Sequence, residues 1–362
     1  MENNGTDQQQ LKANLAKRTA DLFLALIRPI SKHIDWQNVA FTETETYENG
    51  FAKYFQIVIL PALRSLETHR QGYIRFIRII LLCYLLAGTG LMLALYIPGL
   101  LSAENSPILL SLFLTIPFAI CPMASAIFAD TAKQYLTGLI LGFFGPLRYN
   151  AKGGIARQQL SAAMMLSDKN DYIGSDLIEG MHQNVRMQFC QMQILGATNA
   201  LMKHLNIRKT LFKGAVITFE IERQFLGHTL LTHGHRHFIA PKSIAHLKQV
   251  GLADPEFNNS FKLYSNDQVE ARYLVNPALM VQLLNLAEHF KTDALEASFI
   301  DNKMTIFAPF AGPLFEPANL GRSSIYLKEI KDVMAQIHAI LKTLEIIKIN
   351  ASQTASESHK IR

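Results

Sequence analysis

Charge is scarce in this chain. Lysine, arginine, aspartate and glutamate supply 18% of its 362 residues, against about 25% in a soluble globular domain. That shortfall, beside 49% apolar residues, excludes a disordered chain and an ordinary water-facing enzyme alike. Cysteine is rarer still. Cys83, Cys121 and Cys190 form no CxxC pair, and an odd number argues against a disulfide framework. They read as reduced thiols packed as small hydrophobes. Standard catalytic signatures are missing too: the chain has no P-loop, HExxH, GxSxG, GxGxxG or EF-hand pattern. The first apolar run, residues 22–27, is shorter than the core of a signal peptide, about 7–15 residues, so no cleaved leader is expected.

What the chain does have is long uncharged apolar runs. Residues 79–101 and 105–129 contain no Asp, Glu, Lys or Arg. A bilayer core about 30 Å thick needs roughly 20 apolar residues in a helix, and both runs suffice. Pro98 and Gly99 stop the first helix and Pro107 can open the second. The expectation is a two-helix transmembrane hairpin with spans at about 79–98 and 108–129. Arg64, Arg70, Arg75 and Arg78 precede it, Lys133, Arg148 and Lys152 follow it, and the connecting loop carries only Glu104. Basic flanks stay in the cytoplasm, which places both termini there. Residues 135–147 are also uncharged, with Gly138 and Gly142 in GxxxG spacing. They are too few to span, and read as an interfacial or helix-packing segment. The spans hold no Asp, Glu, Lys, Arg or His, which argues against a transporter and leaves a pore made by oligomerisation as an alternative.

The fold class read from these patterns is α+β. It comprises an N-terminal helical segment (1–75), the transmembrane hairpin (76–130), a juxtamembrane segment (131–150), a cytoplasmic antiparallel-sheet domain with covering helices and a long C-terminal helix (151–349), and a disordered tail (350–362). In the first segment Tyr47, Phe51, Tyr54, Phe55, Val58 and Leu66 recur at near-helical spacing, with Pro61 set to kink or split the helix. A helix is expected over 154–165. Strands are expected over 184–192, 216–222, 229–231, 237–240, 297–300 and 304–308, from alternation and β-branched content, with Asp301-Asn302-Lys303 as a hairpin turn. Asn276-Pro277 is an N-cap followed by proline at the first helical position. In the last helix, about 325–346, Tyr326, Ile330, Val333, Ile337, Ile340 and Leu344 alternate by four and three. That seam suits either a core-facing helix or a coiled-coil contact between subunits.

Several stretches resemble a known family. Tyr172-Ile173-Gly174-Ser175-Asp176-Leu177-Ile178-Glu179-Gly180 is one, and Phe212-Lys213-Gly214 followed by residues 223–229 is another. The longest is Asp254-Pro255-Glu256-Phe257 through Phe261 and on through residues 264–274, and Leu314-Phe315-Glu316-Pro317 closes the set. Together they resemble the bacterial family DUF3137, also labelled galanin, over roughly residues 79–344. The resemblance implies an inner-membrane protein with a cytoplasmic α+β domain and implies no activity.

The central motif has a structural reading. Ser265 and Gln268 have capping-box spacing, Asp267 then falls in the first helical turn, and Glu270 or Asp267 can pair with Arg272. The functional reading makes Asp254, Glu256, Asp267, Glu270 and Arg272 a partner-binding surface. His228, His233, His235 and His237 are the densest metal-capable group. Of these, His233, His235 and His237 would share one strand face as weak metal candidates, against a solvated hairpin. No catalytic residue and no cofactor are called for. The expected function is a membrane-anchored cytoplasmic binding or scaffold module with the lipid bilayer and a protein partner as its contacts, homo-oligomerisation included and nucleic acid not. The alternatives are a membrane-associated hydrolase with an unrecognised site and the oligomeric pore.

Overall fold

A computed structural model describes residues 34–96, 106–163, 170–196, 210–221, 224–233, 246–252, 254–290, 294–310 and 326–358, with residues 21, 26 and 292. The chain divides into two compact units. One comprises Met1–Leu139 with Glu316–Ile330, the other Ile140–Phe315 with Lys331–Arg362. The connection expected over 98–107 lies largely outside the described residues, as do Cys121's surroundings, the strand expected at 237–240 and the 314–317 motif.

In the first unit a helical turn (Phe51–Tyr54) leads through a π-turn (Phe55–Ile59) into helix α1 (Leu60–Tyr96). Pro61 explains the π-turn. It has no N–H for the Ile57 carbonyl and its ring crowds that carbonyl, so the turn before it widens rather than breaks. Phe51, Phe55, Ile59 and Leu63 are fully buried, and the Phe41 ring meets Phe51 edge-on at 4.7 Å. Helix α2 (Ser106–Phe144) meets this element through Tyr54 and Tyr73 among the described residues. The Tyr54 hydroxyl donates to the Leu139 carbonyl at 2.8 Å, and the Tyr73 and Phe128 rings meet at 6.0 Å. A buried pair, Glu67 with Arg70 at 2.6 Å, sits between these levels. Beyond residue 78 the pattern inverts: Ile79, Leu82, Leu85, Leu86, Leu91 and Leu93 all face outward. Among the described residues, the helical run Thr46–Leu91 holds a stretch long and apolar enough to cross a membrane, and 11% of that stretch is buried. Residues 135–144 continue α2 rather than forming a separate segment. A side chain at Gly138 would meet nothing within 4 Å, so the GxxxG spacing marks no close helix contact.

The second unit is built on one antiparallel sheet of nine strands: β1 (Leu147–Asn150), β2 (Asp171–His182), β3 (Val185–Leu195), β4 (Thr210–Glu220), β5 (Thr229–His233), β6 (Lys248–Val250), β7 (Phe261–Ser265), β8 (Glu296–Ile300) and β9 (Lys303–Pro309). Their order is β1-β2-β3-β4-β9-β8-β5-β7-β6. Helices α3 (Arg157–Ala162), α4 (Pro255–Ser260), α5 (Gln268–Leu274), α6 (Pro277–His289) and α7 (Leu327–Ser358) complete it.

One sheet face carries Cys190, Met192, Ile194, Val216 and Phe307, which pack with Ile155, Leu160 and Ala163 around α3. Along the same face a polar row runs in register from Arg148 through Glu179, Gln188, Thr218 and Thr305 to Ser298. The opposite face is covered by α6 and α7. Phe290, capping α6, stacks on Phe189 at 6.4 Å, and Gln282 donates to the Thr343 hydroxyl at 3.2 Å. Val333, Ile337, Ile340 and Leu344 are buried, so the seam of α7 is a core-facing one. That helix runs to Ser358, past the expected end at Ile346 and into the tail expected to be disordered. No Gly or Pro lies between those positions to stop it.

The helix expected over 154–165 starts later, because Gly154 is used differently. It crosses β2 at Gly174, where a side chain on Gly154 would come within 2.8 Å of the Gly174 Cα. Two residues on, Asp176 adopts φ 58° at a bulge in the β2–β3 register. Its carboxylate accepts from the Tyr149 hydroxyl at 2.5 Å, which holds β1 against β2.

Burial pushes the Cys190 thiol up to about 12, with the Asp176 charge adding to the rise and a backbone bond from Ile155 opposing it. In a Cys83→Ser, Cys121→Ser chain held in detergent at pH 7.5, Cys190 is expected to resist maleimide and to react fully once unfolded in guanidinium. Labelling within minutes under native conditions would contradict this packing.

Candidate interaction surface

The central motif folds into β7, a turn and α5, and does so with different caps from those expected. Ser265 belongs to the end of β7. Its hydroxyl accepts from the Asp267 amide at 3.0 Å and lies 2.9 Å from the Thr229 hydroxyl on the neighbouring strand. The N-cap of α5 is Asp267, whose Oδ1 accepts from the amides of Val269 and Glu270 at 3.1 and 2.9 Å. A carboxylate in the second residue after the strand reaches those orphan donors better than a hydroxyl still held in the sheet. Asn276 caps α6 as expected, accepting from Leu279 at 3.0 Å.

Glu270 reaches across to the backbone of the loop before β5. It is 4% exposed, on the inner face of α5 beside Ala271 and Leu274. Its carboxylate accepts the Leu226 amide at 2.8 and 3.0 Å and the Gly227 amide at 3.0 Å. The next amide, of His228, donates to Asn266 Oδ1 at 2.7 Å, and the preceding one, of Phe225, donates to the Asp301 carbonyl. Four successive backbone donors are thus satisfied from three different segments. Gly227 has to be glycine here, because a Cβ would lie 2.4 Å from Asn266 Oδ1, the atom that holds His228.

This clamp fixes a loop whose side chain points away from it. Leu226 is 78% exposed. On α5, Val269 precedes the clamping glutamate and Tyr273 lies one turn further; both are exposed. Large apolar side chains held outward over buried charge-assisted hydrogen bonds make an ordered exposed patch rather than a frayed loop.

Asp254 and Arg272 do come together. They line an open depression of about 480 Å³ with Leu252, Pro255, Val275 and Met280. Asp254 also caps α4, accepting from Phe257 at 3.0 Å, and Arg272 Nε donates to the Gly251 carbonyl at 3.4 Å. Glu256 follows in the first turn of α4, its side chain outside the described set. The expected acidic and basic group therefore splits into two caps, one clamp and one rim arginine. Of the histidine candidates, His233 ends β5 with its ring edge-on to Phe261 at 6.0 Å, while His235 and His237 lie outside the described residues. No group of three or more His, Cys, Asp or Glu placed to hold a metal occurs among the described residues.

Leu226 was missed in the sequence, although a signal was there. Glu270 occupies the apolar stripe of a short helix, and a buried carboxylate has to find donors. The glycine at 227, in the stretch that resembles a family motif, was the place to look for them.

Residues 210–348 match the family DUF3137, protein of unknown function. The matched region thus holds the clamp, the depression, α6 and most of α7. The 172–180 stretch and the expected hairpin, included in the resemblance, fall outside it. No curated protein matches the chain. Among solved structures, the mycobacterial trehalose monomycolate transport factor A, TtfA, is similar at 10% identity, covering 58% of this chain and 96% of that one, with a TM-score of 0.30.

Replacing Glu270 by Ala leaves the Leu226 and Gly227 donors without their acceptor and is expected to cost about 1.5–3 kcal/mol. Hydrogen exchange at those two amides should rise at least tenfold while the β4 and β9 amides stay protected. Unchanged exchange at both amides would refute the clamp. Gly227→Ala should accelerate the His228 amide in the same measurement.

Proposed function

We propose that this chain is a membrane-anchored cytoplasmic module that docks a protein partner through the pinned Leu226 loop and the exposed face of α5. The observation that carries the docking half is the loop itself: four bonded amides behind a leucine that faces solvent. The bonds hold the fold, but the exposed leucine side chain does not, since leaving Leu226 in water forgoes its burial. It fits the anchors that dominate protein–protein contacts, where rigid apolar side chains enter a partner's pocket.

The anchoring half rests on α1. Seven large apolar side chains from Ile79 to Leu93 are exposed, and keeping such a row in water costs on the order of 5–10 kcal/mol, as much as the net stability of a typical domain. Lipid removes that cost. The second span is α2 up to residue 129, as apolar as the first. Its contacts with the first unit's helical element, Tyr54 with Leu139 and Tyr73 with Phe128, favour an antiparallel pair. The midpoints of both contacts fall at about residues 97–101, beside Pro98 and Gly99 where a turn is cheapest. The basic flanks favour cytoplasmic termini and a cytoplasmic sheet unit.

Two experiments test the two halves separately. The chain is expected to stay in the membrane pellet at pH 11 in carbonate, and Leu82→Arg with Leu86→Arg should release or abolish that fraction; complete extraction of the natural chain would end the anchoring claim. For docking, a photo-reactive amino acid at position 226 should give one dominant protein adduct in intact membranes, reduced at least tenfold by Val269→Asp. Adducts to lipid alone, or none, would end the docking claim.

A further inference from the structure

The buried end of β5 carries a group that neither the clamp nor the core uses. His228 is 5% exposed. Its Nε2 lies 3.3 Å from the Ser298 hydroxyl, and that hydroxyl donates its own proton to the Ala163 carbonyl at 2.9 Å. The serine oxygen is therefore the acceptor of the pair, and Nε2 carries the imidazole proton. Nδ1 is left with a bare lone pair. It is buried and has no hydrogen-bond partner among the described residues. A second imidazole, the exposed His246, stands with its ring centre 5.9 Å away, tilted by 33°.

We propose that His228 Nδ1 and His246 form a two-imidazole site for a first-row divalent cation of the zinc type. With metal–nitrogen bonds of about 2.0–2.1 Å, two imidazoles on one ion have ring centres roughly 5–6.5 Å apart, and the observed separation lies in that window. The ligand tautomer is already set. A metal-binding histidine usually donates its other ring N–H to a fixed acceptor, and Ser298, itself locked on Ala163, provides one. Imidazole suits zinc, copper and nickel over magnesium or calcium. With two protein ligands, the remaining positions go to solvent on the open His246 side, so binding is weaker than at a closed four-ligand site.

The test uses the full chain in detergent with a tag free of histidine, and Zn²⁺ alone competed against a chromogenic chelator. One Zn²⁺ per chain is expected. His246→Ala, at an exposed position where folding is not at stake, should weaken binding at least tenfold, and His228→Gln should abolish it. A His233→Asn, His235→Asn, His237→Asn chain should bind as the natural one does. Equal affinity in His246→Ala, no bound Zn²⁺ at all, or loss confined to the 233–237 variant would each overturn the proposal. The last outcome would give the ion to the neighbouring tract, and the second would leave Nδ1 to a water molecule.

Discussion

A buried carboxylate that accepts from two consecutive amides ties the loop before β5 to helix α5. Glu270 lies 44 residues from Leu226, and the strands that separate them in sequence are β5, β6 and β7. These strands must pair correctly before the carboxylate can meet its donors. Register and clamp therefore depend on each other. If β5 slipped by one residue against β7, Thr229 would leave Ser265, Asn266 would lose the His228 amide, and Glu270 would be buried without partners, at a cost of several kcal/mol.

The two sheet faces follow from the same economy. Nine strands satisfy one another's backbone groups except at β1 and β6. Both edges are short, three or four residues long, which limits unwanted strand addition. One face is sealed by α6, through the stacking of Phe290 on Phe189, and by the aliphatic seam of α7. The other is apolar where the segment around α3 lies across it and polar along the row from Arg148 to Ser298. The polar side chains on that row are mutual neighbours, so each finds partial compensation on an adjacent strand.

Much of this was legible in the residues. Strands β3, β4, β5, β8 and β9 announce themselves by alternation or β-branched runs, and Asn276-Pro277 marks the start of α6 without ambiguity. Strands β1, β2, β6 and β7 do not. β2 contains two glycines and a bulge at Asp176 that breaks its period, and β1 and β6 are too short for a period to register, while β7 alternates but lies inside a motif read for its helix cap. The cap of α5 was misplaced by two residues because Ser265 and Asp267 have equal chemical claims to it. Only the pairing of Ser265 with Thr229 across the sheet decides between them. The histidine at 228 looked like one member of a loose tract. Its distinct role comes from Ser298 and Ala163, distant residues that no local spacing could bring together.

The rigidity of the 225–228 loop has a kinetic corollary. A contact segment that is already ordered gives up little conformational freedom on association and needs no rearrangement to bind. Encounters at Leu226 would then succeed or fail on shape alone, and differences between competing binders would appear in how long they stay rather than in how fast they arrive.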